Sequence, residues 1–298
     1  MSRSLNDHTC TAWLLVLPAV MGLLAFVAVP FFLAVGLSLT DLRLGSPLPV
    51  KYVGLRQYSW IFADPSFQRA LVNNGVFALV VVPVQTTLAL ALAVLLNRGL
   101  RGMVVFRTLF FMPVVFPMAL VAIVWELVYA PGPTGTLNSF LDVVTLGWWE
   151  PRAFLHDPFW ALPAIMVLSI WQGLGFQMVI LLAGLQGIPE QLYEAASIDG
   201  AGKVSQFFHV TLPQLRNPLI FVVLLTCILA FRVFDQVQIL TQGGPHDATT
   251  TVMYEAVTTA FSRQQVARAS AMTVVFFVIV LSITLVQRIL VREEREVA

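Results

Sequence analysis

Charge is what this sequence has least of. Asp, Glu, Lys and Arg together supply 11% of its 298 residues, where a soluble domain carries ~25%. A soluble chain of this length needs a charged surface, so the shortage excludes a soluble enzyme. The 58% hydrophobic content excludes a disordered chain. Seventeen basic against sixteen acidic residues leave no basic field for nucleic acid. Cysteine is scarce too. Cys10 and Cys227 are too few for a disulfide framework, and no Cys-x-x-Cys or His-rich spacing suggests a metal site. Both read as packing residues. What the sequence does have is long apolar runs, and a mean hydropathy of +0.84 marks an integral membrane protein.

A helix needs about 20 apolar residues to cross ~30 Å of hydrocarbon. Six stretches qualify: 11–39, 75–96, 108–128, 159–183, 218–240 and 269–287. None alternates with period two, which argues against a barrel. The expectation is one all-α transmembrane domain over 1–298 with six membrane helices. The first run is too long for a signal peptide and lacks a cleavage site. The short loop 97–107 holds Arg98, Arg101 and Arg107 with no acid, which places it, and both termini, in the cytoplasm. Glu126 is read as snorkelling from the third span, and His156, His209 and His246 as solvated loop residues. Arg232 and Asp235, three apart in the fifth span, are read as neutralising each other near the outer headgroups.

The inner segment 184–217 is the most specific part of the chain. Pro189 suits a first helical position, Glu190 and Glu194 share a face, and Asp199-Gly200 is a stop signal. A second short helix carries Val204, Phe207, Phe208 and Thr211 at i, i+3, i+4 and i+7, and Pro213 is expected to end it. Periodicity alone suits equally a docking element for a soluble partner and a helix lying on lipid.

Glu194-Ala195-Ala196, three residues, Gly200, nine residues, then Val210-Thr211-Leu212-Pro213 resembles the cytoplasmic signature of permease subunits of bacterial ATP-binding-cassette importers. Val210 stands where the pattern has isoleucine. Asp199-Gly200-Ala201-Gly202 is similar to the carbohydrate branch, as are Ile170-Trp171-Gln172, Leu182-Ala183-Gly184-Leu185-Gln186, Leu240-Thr241-Gln242-Gly243-Gly244-Pro245 and Gly135-Thr136-Leu137-Asn138. The nearest patterns are the maltose-type large permease and the glycerol-3-phosphate-type permease. The resemblance implies a type I importer permease fold in a bacterial inner membrane, with 184–217 as the coupling element. It implies that Glu194, Ala195, Ala196, Asp199, Gly200, Ala201 and Pro213 organise that element and that Phe207 and Phe208 enter a groove of the ATPase. It further implies a second homologous permease, two ATPase subunits and an external or lipid-anchored solute-binding protein. The chain has no phosphate loop, since its one Gly-Lys pair, Gly202-Lys203, is followed by Val204. No cofactor is expected in it, and ATP and Mg would sit on the partner ATPase.

A transporter site is expected near mid-bilayer. Ser169, Gly173 and Phe176 share a face of the fourth span beside Gln172, and Thr226, Leu229, Ala230 and Val233 share one on the fifth. In the maltose-type permease the aligned stretches line the sugar site, although the fifth-span face is more apolar here. The expected cargo is a sugar or oligosaccharide, with glycerol-3-phosphate or a glycerophosphodiester as the alternative and an ion-coupled carrier or membrane scaffold as a different class. Trp171 is read as packing.

Overall fold

The computed structural model describes residues 13, 15–97 and 102–292, so Arg98, Arg101 and Cys10 lie outside the described residues. Among those described, the only β pairing is an isolated bridge between Thr40 and Tyr52. The helices in order are α1 Leu15–Ser38, α2 Arg56–Ala63, α3 Pro65–Leu96, α4 Met103–Val115 and α5 Met118–Val128. Then come α6 Thr136–Val144, α7 Ala161–Gln186, α8 Glu190–Ile198 and α9 Lys203–Gln206. The last are α10 Arg216–Phe231, α11 Asp235–Leu240, α12 Val252–Val257 and α13 Val266–Arg292.

Five helical runs among the described residues are long and apolar enough to cross a membrane: α1, α3, α7, the run Arg216–Leu240 and the stretch Val266–Ile289 of α13. Their outward faces are apolar. Phe26 and Phe32 of α1 are 84% and 70% exposed, which suits a helix whose solvent is hydrocarbon. The third expected span is not one straight helix. It is α4 and α5, bent by 101°, and only the pair counted together makes a sixth span. Pro117 is the cause: the residue before a proline is pushed out of the α region, and Phe116 sits at φ −82°, ψ 138°. The second span begins ten residues earlier than its hydropathy suggests. Pro65 opens α3 at a position that needs no amide hydrogen, and Phe67 and Ala70 between the polar residues are fully buried.

The chain divides into two compact units, Met1–Pro65 with Glu255–Val278 and Ser66–Tyr254 with Ile279–Ala298. In the first, Phe31 packs on Phe277 with ring centres 4.3 Å apart. The amide of Leu44 donates to the Gln264 carbonyl at 2.9 Å, and the buried carboxylate of Glu255 pairs with Arg263. In the second, α7 is the central helix, with Ile165 and Leu168 packed in one apolar cluster and Met178 and Leu181 in another. Gly175 lets α4 touch it: a Cβ there would lie 2.0 Å from the Phe110 carbonyl oxygen, which no side chain tolerates.

The motifs at 135–138 and 240–245 turn out to be loop keystones. Asn138 is 1% exposed. Its amide nitrogen donates to the carbonyls of Arg152 (2.9 Å) and Ala130 (3.4 Å). Its Oδ1 accepts from Trp149 Nε1 and the Arg152 amide, both at 3.0 Å. The Gly243 turn, at φ +80°, is held by Thr249, whose hydroxyl donates to the Gly244 carbonyl at 2.7 Å. The loop beyond it is tied to α3. There Asn73 donates to the carbonyls of Asp247 and Thr250, and Arg69 reaches the His246 carbonyl at 2.9 Å.

Candidate functional site

Within the second unit a cavity of about 290 Å³ opens between α3, α5, α7 and the junction of α10 with α11. Ser169, Gln172, Gly173, Thr226, Leu229, Ala230 and Val233 all line it. Phe176 does not. Gln85 of α3 packs so closely on Gly173 that a Cβ there would lie 2.2 Å from its Nε2, and Phe176 lies a turn further along α7. The structure adds residues the pattern missed: Gln85, Met118, Arg232, Phe234, Asp235 and Gln236. Gln85 had a signal of its own, as an amide in the middle of an apolar run. Gln172 has a second task, donating to the Phe116 carbonyl at 3.2 Å that the α4–α5 bend leaves without a helical partner. Trp171 packs against Trp125 with ring centres 5.4 Å apart.

The fifth span is broken where it borders the cavity. Helix α10 ends at Phe231 and α11 starts at Asp235, so backbone groups are freed where water is scarce and each must find another partner. Asn74, 1% exposed, supplies one of these bonds and a second to the start of α12. Its Nδ2 donates to the Phe231 carbonyl at 3.1 Å and its Oδ1 accepts the Val252 amide at 2.8 Å. Thr251 donates to the Val233 carbonyl at 3.0 Å, and Gln236 donates to Ser169 at 3.0 Å. The break is therefore a built feature.

It also overturns the reading of Arg232 and Asp235 as mutually neutralised. Both line the cavity, both are exposed, and no ion pair joins them among the described residues. Three residues apart on a continuous helix they would be neighbours; the interruption between α10 and α11 separates them. A cation and a carboxylate facing one cavity give it donors and acceptors without net charge.

The second candidate region is 187–215. Helix α8 stops in a Schellman motif: the Gly200 amide donates to the Ser197 carbonyl at 3.1 Å and the Ala201 amide to that of Ala196 at 2.9 Å. Gly200 sits at φ +81°, the left-handed region where only glycine is unstrained. The break is clamped from α9. Gln206 Nε2 donates to the Ser197 hydroxyl at 2.8 Å and the Ala201 carbonyl at 3.1 Å, and the Tyr193 and Thr211 hydroxyls meet at 2.9 Å. Glu194, Ala195, Asp199 and Gly200 are exposed and Ala196 is half-buried.

Two expectations here are corrected. Pro213 does not end the helix; a π turn, Phe207–Thr211, precedes it and a helical turn, Leu212–Gln214, contains it at its start. The wider turn, with Leu212 bonding back five residues to Phe207, gives room for a ring that lacks an amide hydrogen. That turn also splits the expected stripe. Thr211 is buried and Phe207 half-buried, while Val204 and Phe208 are 72% and 57% exposed. The two phenylalanine rings pack edge to face, 5.2 Å apart. With Ile198 at 86% exposure, the clamped break presents an apolar surface on a rigid base.

Known proteins similar to this chain show its family and fold. Residues 85–296 match the family of binding-protein-dependent transport system inner membrane components. A probable ABC transporter permease of Bacillus subtilis is 37% identical over 95% of this chain and 96% of its own. The trehalose/maltose transport system permease of Thermococcus litoralis is 35% identical over 92% and 91%, and the lactose transport system permease of Rhizobium radiobacter 33% over 82% and 81%. A crystal structure of a bacterial ABC transporter that imports the polysaccharide alginate superposes with a TM-score of 0.83 at 21% identity, covering 98% of this chain and 99% of that one. The fold is thus that of an ABC importer permease, and the chain belongs to the family of binding-protein-dependent transport system inner membrane components.

Proposed function

We propose that the chain forms half of the path by which a binding-protein-dependent, ATP-driven importer carries a sugar or oligosaccharide across a bacterial inner membrane. A second homologous permease forms the other half, an external solute-binding protein delivers the cargo, and two separate ATPase subunits hold ATP and Mg. The single observation that carries this reading is the clamped break at Gly200 with Phe208 and Ile198 bared on it. A rigid apolar knob beside the membrane is what a soluble motor could grip. The similarity to permeases named for disaccharides supports a sugar as cargo. So does the cavity: one guanidinium and one carboxylate, with amides from Gln85, Gln172 and Gln236, suit a neutral, hydroxyl-rich solute. A phosphodiester would call for a second cation.

The test is uptake of labelled disaccharides into vesicles holding the assembled complex, driven by ATP and not by an ion gradient. Orientation is tested with single cysteines in a background where Cys10 and Cys227 are alanine. Those at Ser46 and Glu150 should react with an impermeant reagent from outside and one at Gly202 should not; outside labelling at Gly202 reverses the topology. Within the path, Arg232→Gln and Asp235→Asn should each lower uptake at least about tenfold, since a hydrogen bond to a charged group contributes ~1.5–3 kcal/mol. Retention of the ATPase should be unchanged. Uptake at the parent rate in both variants would remove these charges from the path.

A further inference from the structure

A second cavity, of about 360 Å³, lies wholly within the unit made of residues 1–65 and 255–278 and belongs to neither region described above. Its walls are the loop after α1, helix α2 and the start of α13. Backbone pairing makes that loop a fixed rim. The Val53 amide donates to the Leu39 carbonyl at 2.8 Å, Asp41 to Lys51 at 3.1 Å, and Ala267 to Leu42 at 3.1 Å.

Three guanidinium groups line the cavity, from Arg43, Arg56 and Arg268. The one carboxylate there, Asp41, already accepts the Lys51 amide at 2.7 Å, and none of the three arginines has an acidic partner among the described residues. Two of them are held in place. The Cζ atoms of Arg56 and Arg268 lie 4.7 and 5.2 Å from the centre of the Trp60 ring, a cation–π stack that orients both forks. Beside them Gln57 is 4% exposed. Its Nε2 donates to the Thr40 carbonyl at 2.8 Å, but its Oε1 is buried without a partner, as is the Nε of Arg268. Buried polar atoms are rarely left unmatched, and a small turn of these two side chains toward the cavity would let an anion with a hydrogen-bond donor next to it match both.

We propose that this pocket anchors the solute-binding protein by taking one of its acidic side chains. The carboxylate lies on Arg56 and Arg268, and an adjacent N–H or O–H of that protein meets Gln57 Oε1. The proposal rests on the importer reading, which puts the loop after α1 on the outer face. Three features select a protein carboxylate. Guanidinium forks match it bidentately. The Trp60 ring, which would otherwise stack a free sugar, is occupied by the two arginines. Most of the walls are a paired loop and a short helix, with only Ala267 and Arg268 from the first turn of α13, which favours a protein side chain over a phospholipid headgroup.

The experiment titrates the loaded cognate binding protein onto the assembled complex in proteoliposomes and follows ATP turnover. In Arg56→Ala/Arg268→Ala the half-saturating concentration should rise about tenfold, or about 1.4 kcal/mol, and its dependence on ionic strength should flatten, with turnover at saturation unchanged. An unchanged half-saturating concentration overturns the proposal. So does a rise seen in phosphatidylglycerol vesicles but absent in phosphatidylcholine, which would put a headgroup in the pocket. Should the double variant not assemble, Arg56→Gln, altered at an exposed position, must still raise the half-saturating concentration, and failure to do so is equally decisive. A parent complex that the binding protein does not stimulate at all sinks the importer reading. Normal stimulation of the parent with no effect of the variants sinks only the anchor.

Discussion

Phe208→Ala is expected to leave the chain inserted and folded while stripping it of its ATPase. The ring is 57% exposed and packs edge-on against Phe207, so little of the chain's own stability depends on it. Buried in a partner's groove, the same ring would contribute ~1.5–3 kcal/mol from area alone, about a tenfold to hundredfold change in affinity. Interface anchors of this kind carry a disproportionate share of binding. Phe207 is the poorer choice for a test, because it is half-buried and its removal would also disturb the π turn. The measurement is co-purification of the ATPase and its stimulated turnover in liposomes. Gly200→Val should produce the same loss by another route. It forces a β-branched residue to φ +81°, at ~1–3 kcal/mol of strain, with nothing within 4 Å of the added Cβ, so the cost is conformational rather than steric. Full turnover in both variants would make this segment a helix lying on lipid.

How much of this was legible in the sequence follows from how local each device is. The break at Gly200 is written in nearby residues: a helix start after Pro189, a stop at Asp199-Gly200, backbone hydrogen bonds between Ala196 and Ala201, and a clamp from Gln206 only a few residues on. The faces of α7 and α10 were legible because helical spacing fixes which residues share a side, and Ser169, Gly173, Thr226 and Ala230 do meet around one cavity. The bend at Phe116–Pro117 has a signal too, the proline itself, but hydropathy runs straight through it. The interruption at Arg232–Phe234 has no comparable local sign. No proline or glycine marks it, and the groups that satisfy it, Asn74 and Thr251, come from elsewhere in the chain. Reading Arg232 and Asp235 as helical neighbours followed from assuming the helix continued. The pocket at Trp60 was invisible for the same reason: Arg56 and Arg268 are far apart in sequence and meet over one ring.

Asn74→Leu is expected to destabilise the second unit strongly and to close the path from a distance. The side chain touches no cargo; it holds the Phe231 carbonyl and the Val252 amide. Leucine matches its size and apolar surroundings, so little packing is lost, but two buried backbone groups lose their partner at ~1–3 kcal/mol each. That is a large fraction of the ~5–15 kcal/mol by which a folded chain is typically stable. With both bonds gone the Phe231 carbonyl can regain a partner by extension of α10 through residues 232–234, which would turn Arg232 and Asp235 away from their places on the cavity wall, while the Val252 amide stays unmatched. The expected result is a lower unfolding temperature in detergent together with lost uptake, while the docking segment at 187–215 still retains the ATPase. Asn74→Asp separates the two bonds, since the carboxylate can accept the Val252 amide but cannot donate to Phe231. Its second oxygen would face the Phe231 carbonyl in a buried site, so it too should lose stability and uptake even though the Val252 bond is kept. Parent-like stability and uptake in Asn74→Leu would mean that the break is held by Thr251 and Gln236 alone.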